Sequence, residues 1–162
     1  VTLIFNASPL IILAKAGLMD VVCGLAETLW VPSQVAAEIH QKPDPNDPAR
    51  VWLANGKPKV HLVPDYPIDP FVAGWDLGHG ESAVLSLPAP EQNTFRVLDD
   101  LAARRCALAL GLSVMGTLGL ILLAKKRGFL PSIEPALQSV VASGLFISPH
   151  HLSAIQRAAA EQ

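Results

Sequence analysis

The 162-residue sequence predicts an α/β fold of three layers, α/β/α, with a mostly parallel sheet of about five strands between helices. Three observations predict it. Short apolar segments alternate five times with helical patterns. The last of those segments lies in a continuous uncharged run, as a strand covered on both faces requires. The composition, 51% apolar with only 16% charged residues, supplies a core and excludes a disordered chain.

The elements follow in order. Val1–Phe5 reads as the first strand, ending at Asn6, and Ser8-Pro9 starts a helix that carries Leu10–Leu13. Gly17 separates it from a second helical pattern, Leu18–Ala26. Thr28–Val31 is the second strand, and Pro32-Ser33 opens a helix through His40. Gln41–Pro48 reads as loop, Ala49–Asn55 as a short helix and Val60–Val63 as the third strand. Pro64–Gly80, with three Pro and three Gly, reads as one long connection of the kind that is often functional. A helix from Gly80 to Leu87, a fourth strand at Phe95–Leu98, a helix over Asp100–Leu110, a fifth strand at Leu112–Met115 and a helix over Thr117–Arg127 complete the alternation. Helical patterns at Ile133–Ser143 and Pro149–Ala160 close the chain, with no repeat or linker to divide residues 1–162 into two domains.

Charge and cysteine usage narrow the function classes. Twelve Lys plus Arg against fourteen Asp plus Glu give a net charge of -2, so no broad cationic face holds a duplex, and any nucleic-acid contact is local. Cys23 and Cys106 lie in apolar stretches without metal-ligand spacing, and no signal-like segment stands ahead of Val1; a reduced, cytoplasmic interior is expected. The nineteen uncharged residues Cys106–Ala124 are long enough to span a bilayer. Gly111, Ser113, Gly116, Thr117 and Gly119 break that run into helix end, strand, turn and new helix, and basic residues flank it on both sides, so no membrane association is expected.

In open α/β sheets a site lies beyond the carboxyl ends of the strands, and here those positions are polar: Asn6 with Ser8, Asp99-Asp100, and Gly116-Thr117. Two glutamates join them from helices. Glu38 falls about 60° around the helix from Val35, beside the apolar stripe that Val35 and Ile39 define. Glu81 occupies the inward stripe in the first turn of its helix, where burial of a lone carboxylate costs several kcal/mol unless a cation or donors compensate it. Each residue also fits a plainer role: turn hydrogen bonding for Asn6, a solvated face for Glu38, a dipole partner for Glu81, helix capping for Asp99, Asp100 or Thr117. Their agreement on one end of one sheet favours a site.

Asn, Glu, Glu and Asp together suit hard cations, Mg²⁺ or Mn²⁺, which take oxygen ligands and leave room for phosphate. Such ions support phosphodiester hydrolysis by activated water without a nucleophilic side chain. Consistently, the sequence holds no GxSxG elbow, GxxxxGK[ST] loop or HExxH helix, and its five histidines show no ligand spacing. Arg104, one turn beyond Asp100, is the preferred contact for a substrate phosphate or a carboxylate, a surface arginine being the plainer reading.

Four blocks in order, NASPLIILAKAGLMDVV, VPSQVAAEI, LGHGESAVLSL and VLDDLAARRCALALGLSVMGTLGLILLAKKRG, resemble the PIN-domain superfamily, specifically its VapC-related uncharacterised nucleic-acid-binding branch. The resemblance covers residues 1 to about 147, leaving 148–162 as a C-terminal helix. It implies a PIN-like fold and a Mg²⁺- or Mn²⁺-dependent endoribonuclease acting on RNA, commonly the toxin of a toxin-antitoxin pair. Carried over by position, it implies metal ligands at Asn6, Glu38, Glu81 and Asp99, with Asp100 as a neighbour of the last, and Glu38, Glu81 and Asp99 as the catalytic set. Ser8, Arg104 and Thr117 would meet substrate or order water. An antitoxin and a second copy of the chain are the implied protein partners. One position departs from the pattern: most active members carry Asp where this chain has Asn6, which removes a negative charge and should lower metal affinity. A non-catalytic module that binds RNA or protein is the alternative; a Rossmann-like nucleotide binder is disfavoured, because LGHGES does not follow the first strand and lacks the third glycine of GxGxxG.

Overall fold

The computed structural model describes residues 1–161. Five strands, β1 (Thr2–Phe5), β2 (Thr28–Pro32), β3 (Val60–Val63), β4 (Thr94–Val97) and β5 (Val114–Met115), form one sheet in the order β3-β2-β1-β4-β5. Every pairing is parallel, so the expected mostly parallel sheet is wholly so. The helices are α1 (Ala7–Lys15), α2 (Met19–Leu25), α3 (Ser33–His40), α4 (Pro48–Ala54), α5 (Pro70–Ala73), α6 (His79–Ser86), α7 (Leu101–Ala109), α8 (Thr117–Lys126), α9 (Glu134–Ala142) and α10 (Pro149–Ala160). They cover the sheet in the three-layer α/β/α arrangement.

The central strand is the most apolar because it is covered on both faces: Leu3, Ile4 and Phe5 are fully buried, and β1 pairs with β2 on one side and β4 on the other. The edge strand β3 alternates less strictly and exposes His61 and Leu62. Gly17 adopts φ +74° after α1, and the Leu18 N–H donates to the Leu13 carbonyl at 2.9 Å, the glycine-dependent closure that turns the chain into α2. Gly111, at φ +70°, ends α7 in the same way, with the Leu112 N–H on the Ala107 carbonyl at 2.9 Å. That turn cuts the long uncharged run into α7, β5 and α8, as expected. Among the described residues no single helix is long and apolar enough to cross a membrane.

The differences from expectation have local causes. Leu112 closes the α7 terminus, so β5 keeps only Val114 and Met115. Leu98 lies beyond β4, although its N–H still donates to the Met115 carbonyl at 3.0 Å. The stretch Pro64–Gly80 is not one uninterrupted connection. The Asp69 carboxylate accepts from the Phe71 N–H at 2.8 Å, and Pro70 sits at the first helical position, which together nucleate α5. Asp47 caps α4 similarly, accepting from the N–H groups of Ala49 and Arg50 at 3.0 and 3.3 Å.

Arg96 breaks the apolar pattern of the interior. It is 2% exposed within β4, and its Nη2 donates to the Leu87 carbonyl at the end of α6 at 2.8 Å. Burial lowers its pKa, and among the described residues it has no carboxylate partner. It ties the C-terminus of α6, where a cation is favoured by the helix dipole, to the sheet.

Because β1 carries the sheet's centre, Leu3→Ala should cost about 3 kcal/mol in urea unfolding. Leu62→Ala, at an edge position 58% exposed, should stay within about 0.5 kcal/mol of the parent. Equal costs at the two positions would contradict this arrangement.

Candidate metal centre and its neighbouring cleft

The strand order reverses between β1 and β4, the place where the carboxyl ends of a parallel sheet leave a crevice. Asn6 follows β1 directly, its backbone N–H on the Val97 carbonyl at 3.1 Å. By position it is the N-cap of α1, a role that asparagine fills well, yet its side chain makes no capping bond. Instead it is 2% exposed, and its Nδ2 donates to Glu81 Oε1 at 3.0 Å, across 75 residues of sequence. Its Oδ1 is buried without a hydrogen-bond partner.

Two glycines make room for this contact. A Cβ on Gly80 would lie 2.6 Å from Glu38 Oε1 and 2.9 Å from Asn6 Oδ1, so both oxygens border one small space that only a hydrogen side chain leaves open. A Cβ on Gly78 would collide with Glu81 Oε2, so the Glu81 carboxylate folds back over the start of its own helix. Glu38 thus enters from α3 and Glu81 from the first turn of α6. Burial raises the pKa of Glu38, and the charge of Glu81 raises it further; the Gly80 amide and His79 partly oppose this. Among the described residues the ion pairs are Val1–Glu27 and Lys42–Asp47, so the pair has no salt bridge, His79 being the one cation that acts on Glu38.

Asp99 emerges from the adjacent strand end but is held differently. Its Oδ1 accepts from the Thr117 N–H at 2.7 Å and its Oδ2 from Thr117 Oγ1 at 2.6 Å, so Asp99 supplies the cap that Gly116 does not give α8. Thr117 is fully buried. Arg104 Nη1 and Asp99 Oδ1 lie 3.2 and 3.0 Å from the point where a Gly116 Cβ would be, and among the described residues the guanidinium makes no ion pair or side-chain hydrogen bond. Asp100 is exposed and caps α7, its Oδ2 accepting from the Ala103 N–H at 2.8 Å. Ser8 is exposed in α1, and among the described residues its hydroxyl makes no hydrogen bond.

The structure therefore brings Asn6, Glu38 and Glu81 together, and places Asp99 with Thr117 and Arg104 in an adjoining half. Among the described residues no group of three or more His, Cys, Asp or Glu side chains is arranged to hold a metal ion. The close set is two carboxylates and an amide. Those residues do fit a hard divalent cation: the donors are all oxygen, one acceptor is buried and orphaned, and it borders the same space at Gly80 as a carboxylate oxygen of Glu38. Sequence reasoning named Gly116 only as a strand end and missed Gly80 at the site, whose contribution is an absence of atoms, and Arg96, whose signal was a lone arginine inside a strand.

Two outcomes follow. Glu38 holds its proton more tightly folded than unfolded, so in chelator its contribution to stability is present below the ordinary glutamate range and is lost as pH rises through the raised value. Glu38→Gln should flatten that loss and raise metal-free stability near pH 7 by about 0.5 kcal/mol, solvent screening keeping the figure small; lower metal-free stability would contradict the like-charge account. Gly80→Ala should fold, with about 1 kcal/mol of helix propensity offsetting the displaced Glu38. It should nevertheless lose the rise in melting temperature that Mn²⁺ gives the parent, a stabilisation of about 2.7 kcal/mol at a hundredfold excess over Kd. A Mn²⁺ shift unchanged by Gly80→Ala would place the ion elsewhere.

Comparison with known families agrees with this geometry. A family model described as a PIN domain matches residues 2–161 and so takes in α10, which the four sequence blocks leave out. No curated protein matches the chain. PIN domains have a nuclease-type fold and generally use divalent metal ions. The chain belongs to the PIN-domain family.

Proposed function

We propose that this chain is a metal-dependent endoribonuclease that hydrolyses RNA phosphodiester bonds, of the VapC-related kind, acting in the cytoplasm as the toxin of a toxin-antitoxin pair. The observation that carries the reading is the orphaned, buried Oδ1 of Asn6 beside Glu38 Oε1, at the switch point of a parallel sheet. Asn6, Glu38 and Glu81 would hold Mg²⁺ or Mn²⁺. When bound, the ion supplies Lewis-acid neutralisation of phosphoryl charge and activates water.

The chain's own residues do the remaining work. The Asn6 amide holds Glu81 by one oxygen and leaves the other free to ligate or to accept a proton from water. Thr117 fixes both oxygens of Asp99, and the spare lone pairs of that carboxylate face the adjoining half of the crevice. Arg104, with no internal partner, is the cation available to meet a phosphate once the carboxylates are neutralised. Ser8, exposed two residues after Asn6, would order phosphate or water at the rim, whereas Thr117, fully buried with its hydroxyl on Asp99, acts through that carboxylate and not by touching substrate. Asp100 caps α7 through Oδ2 alone, and its Oδ1 is proposed as a neighbour of the Asp99 ligand position. An antitoxin and a second copy of the chain are the proposed protein partners.

A second reading rests on the same amide. Asn6 contributes no charge where an aspartate would, so the chain could bind RNA without turning it over. Incubation of the purified protein with an RNA panel, in Mn²⁺ and in chelator, separates the two. Cleavage should require Mn²⁺ and fall about 100-fold in Glu81→Gln and in Asp99→Asn. Cleavage unaffected by either substitution would overturn the site assignment, and RNA binding without any cleavage would favour the second reading.

A further inference from the structure

A cavity of about 320 Å³ opens beside Asp99, walled by α7, β5, α8, α10 and the connection between α9 and α10. Its volume is at the lower end of the range that takes small organic ligands. Met115 and Ile155 contribute apolar surface, Arg104 and His151 contribute cationic or proton-bearing groups, and Phe146 stands at its edge 87% exposed. We infer that this cavity is a subsite for one unpaired nucleotide of a single-stranded RNA, with the base stacked on Phe146 and the neighbouring phosphate met by Arg104. The inference rests on the proposed nuclease reading in one respect: it assumes that the strand passes Asp99.

The backbone presenting Phe146 is fixed. Gly144 at φ +111° ends α9, the Leu145 N–H donates to the Val140 carbonyl at 2.9 Å, and Ser148 caps α10 through the His151 N–H at 3.2 Å. A nearly bare aromatic ring on a held turn is a stacking platform, and stacking on such rings beside a cationic groove is how unpaired bases are gripped without sequence selection. In a duplex the faces of each base are covered by its neighbours, so the same ring has nothing to stack on. Arg104, whose guanidinium makes no ion pair among the described residues, lines the same cavity as this ring and borders Gly116 together with Asp99, where an incoming phosphate needs a counter-charge. A purely apolar partner surface would leave both Arg104 and His151 unsatisfied.

Fluorescence anisotropy with a fluorescein-labelled ten-nucleotide single-stranded RNA, and with a duplex of the same length, tests this in Ca²⁺, an oxygen-preferring cation that neutralises the carboxylates, with a gel checking that the RNA stays intact. Phe146→Ala should weaken single-strand binding about tenfold, Phe146→Trp should restore it, and duplex binding should not change. The exposure of the ring makes loss of folding an implausible cause, and a thermal melt checks it. Weakened binding in Phe146→Ala, with no cleavage by the parent protein, would sustain the subsite while overturning the nuclease reading. Cleavage by the parent, with unchanged binding and KM in Phe146→Ala, would overturn the subsite and leave the nuclease standing. A changed sedimentation coefficient in Phe146→Ala with unchanged RNA affinity would also overturn it, assigning the ring to contact between copies of the chain.

Discussion

One neutral amide is set between two carboxylates, and the rest of the site depends on it. Asn6 stands where a helix N-cap is wanted, and withholding its side chain forgoes about 1 kcal/mol of capping. Its Nδ2 goes to Glu81, and its Oδ1 is left buried and unpaired, an arrangement that costs about a further 1–3 kcal/mol when nothing compensates it. A chain selected for stability alone would cap α1 and put an apolar residue against Glu38. At the carboxyl end of β1 a local rule is broken in both respects, cap and partner, and such a break is where a function is to be sought.

The sheet explains why this tension is confined to so small a region. Because every strand runs the same way, the carboxyl ends of β1 and β4 lie side by side where the strand order reverses, and α3, α6 and α8 begin or pass close by. Arg96 adds a restraint from below: a buried guanidinium bonded to the last carbonyl of α6 holds the helix whose first turn bears Glu81. At the other edge of the crevice Asp99 stands in for the missing cap of α8, so the same bond that orders Thr117 also aims the carboxylate. Each half of the crevice is built by a carboxylate that accepts from a distant element: Glu81 from the Asn6 amide, Asp99 from the backbone N–H and hydroxyl of Thr117.

Much of this was legible in the residues themselves. Continuous apolar segments such as Leu3–Phe5 specify strands buried on both faces, and Gly17 and Gly111 specify where helices stop, because both signals act within a few residues. The polar residues at the strand ends were equally visible, and Asn6, Glu38 and Glu81 do converge. What sequence could not convey is relation at a distance. Asp99 and Thr117 are eighteen residues apart, and nothing local says that their mutual bond sets Asp99 in a separate half of the crevice. Gly80 matters through a vacancy beside atoms from two remote elements, and α5, a single capped turn begun by Asp69-Pro70, is too short to show a helical period in the sequence.

The free oxygen of Asn6 and the carboxylates of Glu38 and Glu81 are proposed to form one hard-cation site. Anomalous diffraction from a crystal soaked in Mn²⁺ addresses it most directly. The account predicts one anomalous peak within bonding distance of Asn6 Oδ1 and a Glu38 oxygen, with Asn6 Nδ2 still turned to Glu81. A peak bound only by Asp99, or Asn6 Oδ1 facing no ion in crystals that bind Mn²⁺ elsewhere, would contradict it.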